Sequence, residues 1–125
     1  VAKKYDDTVL DGSLLVADNA TTMHATSAEP ANHAGIAAVS LADIAMTAGN
    51  GNGDYTIANG DTSGRKLTVL AQSGVVIDNT GTATHVVGTD GTTLLWCTTC
   101  TSQALTAAGT VDFPAFDVME INDPT

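Results

Sequence analysis

Apolar positions fall into two periodicities along the chain, and the change between them divides it. From Asp6 to Asp18 they follow a helical spacing: Leu10, Leu14 and Ala17 recur at i, i+4 and i+7 and make one stripe. Asp6 and Asp7 sit where the positive end of a helix dipole favours carboxylates. Gly12 inside the segment costs a helix about 1 kcal/mol, and Val9, Leu15 and Val16 broaden the apolar surface, so a short strand competes with the helix. Thr21 to Ser27 then alternates as a strand, with Met23 and Ala25 on one face, and Glu29-Pro30 ends it. Ala31 to Ala38 reads as loop. Val39-Ser40-Leu41 and Ile44-Ala45-Met46 are short pieces that fit either a strand or a single helical turn. Gly49 through Asp54 is a turn or loop signal.

From Tyr55 onward the period is two. Tyr55 and Ile57 alternate before Asn59-Gly60; Leu67, Val69 and Ala71 share a face; Val75-Val76-Ile77 leads into Asp78-Asn79-Thr80-Gly81. Ala83 to Thr89 and Thr92 to Thr98 flank Asp90-Gly91, a pair suited to a tight hairpin turn. A two-residue loop would set Thr89 opposite Thr92, Val87 opposite Leu94 and His85 opposite Trp96, and would leave both faces of the pair substantially apolar. Such a pair calls for cover by a second sheet, the helix or a neighbouring subunit. Ala108-Gly109 separates Ala104-Leu105-Thr106 from Val111-Asp112-Phe113, Pro114 marks a bulge, edge or turn, and Phe116 to Ile121 alternates as a last strand. The expected fold is mainly β: an antiparallel β-sandwich or jelly-roll-like domain with a short N-terminal helix.

Size and charge narrow the function. The 125 residues fit one domain, 1–125, able to bury roughly two-thirds of its extended-chain area without a staple. Fourteen acidic residues against four basic ones give a formal net charge of -10. The basic residues form two pairs, Lys3-Lys4 and Arg65-Lys66, too few to neutralise several phosphates, which argues against nucleic acid as a partner. No apolar run approaches ~20 residues, so no membrane span is expected. No signal peptide is legible, and an opening on Val1 is compatible with earlier processing.

Candidate chemistry is sparse. Cys97-Thr98-Thr99-Cys100 has CxxC spacing without a second pair, and residues three apart in a strand point to opposite faces, which opposes shared chelation and an internal disulfide. His24, His33 and His85 lack a nucleophile or orienting acid fixed by sequence. Asn50 to Asp54 misses the ligand spacing of a calcium loop, and Gly60 to Lys66 misses the full phosphate-loop pattern. Asn19-Ala20-Thr21 is a common sequon. The expectation is no catalytic residue, no cofactor and no metal.

A resemblance adds what these patterns do not contain. His24 through Pro30, Asn59 through Lys66, Gly81 through Val86, Asp90 through Leu95, Leu105 through Val111 and Phe113 through Val118, in that order, resemble small virion proteins of tailed bacteriophages and prophages. The same order resembles β-sandwich modules of tail appendages and head fibres. The resemblance implies a virion structural protein, first a capsid decoration (cement) protein on the outer capsid surface. Its partners would be the major capsid protein and sister copies, a trimer being one form. The alternatives are a head-fibre or tail-appendage module that meets a host-surface receptor, and a β-domain with a different binding role. Val86, Leu95, Trp96, Phe113 and Phe116 are the expected buried or interfacial anchors, with Lys3, Lys4, Arg65 and Lys66 as contacts to acidic surfaces.

Overall fold

The computed structural model describes residues 3–124. The helical stripe forms α1 (Asp7–Ala17), with Leu10, Leu14 and Ala17 buried. Asp6 caps it: the hydroxyl and the backbone N–H of Thr8 both donate to its carboxylate and hold that carboxyl below its ordinary pKa. Gly12 faces open space on the outer side, where packing does not penalise it.

Among the described residues nine strands follow: β1 (Thr22–Thr26), β2 (Ser40–Ala45), β3 (Tyr55–Asn59), β4 (Arg65–Val69), β5 (Gln72–Val76), β6 (Gly81–Thr89), β7 (Leu94–Leu105), β8 (Thr110–Phe113) and β9 (Phe116–Ile121). They make three antiparallel sheets ordered β2-β1-β6-β7, β3-β4-β9 and β5-β8, and no closure into a barrel or jelly roll occurs among the described residues. A single bridge, Ala42 to Ile77, ties β2 to the residue after β5. The stretch expected as loop at Ala31 to Ala38 instead holds a 3₁₀ turn (His33–Gly35) and a four-residue helix, α2 (Ile36–Val39). The Asn32 carboxamide accepts from Gly35 N at 3.0 Å, a local cap that small-residue composition conceals.

The β6–β7 hairpin forms, but with another register. Its loop runs through four residues, because the Asp90 carboxylate accepts from the N–H groups of Thr92 and Thr93 at 2.9 and 2.7 Å and from the Thr92 hydroxyl. These bonds hold the Asp90 carboxyl below its ordinary pKa. Thr89 therefore faces Leu94, and after a bulge Gly88 faces Trp96, Val87 faces Cys97 and His85 faces Thr99. An odd shift exchanges faces, so Trp96 leaves His85 and joins the side of Val86. Gly88 is required there: a Cβ would overlap the indole ring.

Cover for both faces of this pair comes from within the chain. One face joins a hydrophobic cluster fed by Leu14, Met23, Ala25, Tyr55, Leu67 and Val69. Tyr55 is fully buried, donates to Ala20 O at 2.7 Å, and has its hydroxyl pKa raised by that burial. On the other face Val87 is fully buried. Ala31 to Ala34, from the connection between β1 and β2, share a hollow with Thr92, Thr93 and Leu94 of the hairpin.

A candidate binding groove

β7 and β8 are joined by only four residues, 106–109, yet they do not pair. A connection of that length ordinarily closes a hairpin. Here the loop is pulled the other way: Ile77 N donates to Gly109 O and Ala108 N donates to Ile77 O, both at 2.9 Å, and Ala108 takes a positive φ of 71°. β8 accordingly pairs with β5 on the far side, with Gln72 opposite Phe113 and Val75 opposite Val111. What remains between β7 and β8 is a groove.

Its floor is Ala25, Ala83 and Val86, one wall runs from Cys100 to Leu105, and the other is Val111 to Pro114. The hollow has a volume of about 290 Å³. A second hollow of about 350 Å³ continues it towards Phe116 and Asp117 and shares Val86, Cys100, Thr101, Phe113 and Pro114 with the first. Adjacent residues of a regular strand face opposite ways, but Cys100 and Thr101 both line the groove. The reason is a bulge: the five residues of β7 from Thr99 to Gln103 span the distance covered by the three of β6 from His85 to Ala83.

The nine residues singled out as interface candidates divide into groups. Val86, Phe113 and Phe116 meet in the groove, the first two buried and the third half-buried. Trp96 lies just beyond its end, edge-on to Phe116 at 5.9 Å between ring centres, with its indole N–H donating to Ala17 O at 3.3 Å. Leu95 is half-buried against the core and does not line the groove. Lys3 and Lys4 are exposed ahead of α1. Arg65 and Lys66 are held within the chain. Arg65 donates to Asp11 at 2.8 and 3.3 Å and to Asn59 at 2.8 Å, and lies 3.7 Å from Asp7. Lys66 bonds Asp61 at 2.7 Å and Asp117 at 3.4 Å. The Asp11 bond raises the Arg65 pKa and the Asp61 bond that of Lys66.

The polar candidates are engaged locally. Asn50 accepts from Ile57 N at 2.8 Å, and Asp54 accepts from Thr47 N at 2.6 Å and from the Gln72 amide at 2.9 Å, so these oxygens organise their own loop. Gly60 N donates to Gly64 O, closing the turn into β4, and Gly64 takes a positive φ against the backbone of Ile121. His85 faces Thr99, contrary to its expected pairing with Trp96, and its ring bonds the Thr84 hydroxyl at 2.8 Å. His24 bonds Ser40 at 2.9 Å, and burial lowers its pKa. Cys97 and Cys100 are free thiols whose pKa values burial raises.

The groove residues that sequence reasoning missed include Cys100, Thr101, Gln103, Leu105, Val111, Asp112 and Pro114 in their role as walls. Comparison of the chain with protein-family models, curated proteins and solved structures returns no match in any of the three. That result corrects the vocabulary the resemblance supplied. Virion, bacteriophage, structural protein, capsid decoration, cement protein, head fibre and oligomer are terms that no matched relative carries, and they are dropped as descriptions of this chain.

Proposed function

We propose that the chain is a non-catalytic binding module, its sheets stacked as an antiparallel sandwich, that holds part of another protein in the groove between β7 and β8. The observation that carries this reading is the groove itself: an apolar floor and two unpaired strand edges, left where a four-residue connection fails to close a hairpin. Concave apolar surface with few polar groups is the usual form of a recognition site. The buried candidates Val86 and Phe113 supply that surface, and Asp112 and Asp117 stand along it.

The test is site-specific photo-crosslinking in the native cell. A benzoylphenylalanine placed at Gln103, which lines the groove, is expected to give a covalent adduct of discrete mass. The same group at Asp123, on the exposed chain after β9, is expected to give none. No adduct, or equal adducts at both positions, removes the reading.

A further inference from the structure

Building on that reading, we infer that the groove takes an extended segment of a partner chain as an added strand on the free edge of β7. The segment would carry apolar side chains on its inward positions and lysine or arginine on its outward ones. An edge strand presents a row of unpaired N–H and C=O groups, and natural proteins blunt such edges with lysine, proline, bulges or a covering element. β7 is twelve residues long and lies at the end of its sheet. It contains no charged residue and no proline. Its bulge at 100–102 turns Cys100 and Thr101 into the groove, and the segment from Thr99 to Ala104 is exposed. The element that would cover it, β8, is bonded to β5 instead.

A strand laid on this edge gains main-chain hydrogen bonds from β7 and places alternate side chains over Val86, Leu105 and Phe113. Its other side chains project towards Asp112 and Asp117. No lysine or arginine lines either hollow. Asp112 accepts from Gly74 N at 2.8 Å, and Asp117 accepts from the Thr68 hydroxyl at 2.7 Å and lies 3.4 Å from the Lys66 ammonium, so Asp112 keeps its full negative charge and Asp117 is only partly offset. The charge that fits this rim is positive. A second copy of this chain, at a formal net charge of -10, is the poorer occupant.

The experiment titrates a fluorescent peptide of about eight alternating valine and lysine residues against the full chain at physiological salt. Saturable binding is expected, with shifts in the amide resonances of Thr99 to Leu105. A scrambled peptide of the same composition, and one with glutamate in place of lysine, should each bind at least about tenfold more weakly. Methylating alternate backbone nitrogens should cost about tenfold in one of the two sets and little in the other, because only one set faces β7. Equal tolerance of both methylated sets, or equal binding of the scrambled peptide, overturns strand addition. Absence of any peptide binding, or a dimer of this chain that buries the groove, overturns it too. If the Gln103 adduct persists in those cases the binding-module reading stands, whereas loss of that adduct removes the reading itself.

Discussion

The two halves of β7 share one strand and one partner, β6, but have opposite surroundings. From Leu94 to Thr98 the strand is half-buried: Trp96 lies over Gly88, meets Phe116 edge-on and reaches the last turn of α1 through Ala17 O. From Thr99 to Ala104 every residue is exposed. The first half is closed by contacts with three other elements, β6, β9 and α1. The second has lost the neighbour that its short connection would ordinarily supply. Stability is concentrated in one half, and the surface left for binding is in the other.

Substitutions in the closed half should be costly. Trp96→Ala removes a large side chain together with its edge-on contact and its hydrogen bond, and should lower unfolding free energy by about 3 kcal/mol in a denaturant titration. Gly88→Ala drives a methyl group into the indole and should cost about 2 kcal/mol. The two should not add: in the Trp96→Ala background the Gly88→Ala cost should largely vanish, since the clash has gone. Additive values would show that the indole does not rest on Gly88.

Asp18 lies next to Ala17, at the closed end of β7. It follows α1, is buried, and leaves Oδ2 without a hydrogen-bond partner. Desolvation raises its pKa, and a negative charge at a helix C-terminus opposes the dipole. The folded state therefore binds this proton more tightly than the unfolded chain, so the contribution of Asp18 to stability falls as pH rises through its raised folded value. Asp18→Asn should stabilise by about 1 kcal/mol at neutral pH, and the gain should shrink as pH falls towards the ordinary aspartate value. A destabilised variant at pH 7 would contradict this account.

The smallest effect belongs to the open half. Thr101→Lys should change stability by no more than about 0.5 kcal/mol, because the position is exposed. A loss comparable to Trp96→Ala would mean that the two halves do not differ.

Much of the fold was legible because its signals are local. The Leu10, Leu14, Ala17 stripe gave α1, and the alternation of Tyr55 with Ile57 and of Leu67 with Val69 gave β3 and β4. The hairpin was legible at Asp90-Gly91, but not its register, which depends on where one carboxylate finds donors. The groove was less legible still. Val86, Phe113 and Phe116 stood out as apolar, but their meeting depends on β8 choosing β5 over β7. That choice is held by backbone bonds between Ile77 and the 108–109 turn, by the Thr80 hydroxyl accepting from Ala107 N and by the Asp112 carboxylate accepting from Gly74 N, contacts that no local pattern announces. The partners of Arg65 and Lys66 were equally hidden, since Asp11 and Asp117 approach them across more than fifty positions of sequence.

Amide hydrogen exchange along β7 tests most directly whether the second half is an open edge. In the free protein, the N–H groups of Thr99 to Leu105 that face β6 should be protected and the alternate ones should exchange at close to the unprotected rate. Addition of the valine–lysine peptide should slow the second set and leave the first unchanged. Uniform protection of both sets in the free monomer, or no slowing when the peptide is bound, would contradict the account.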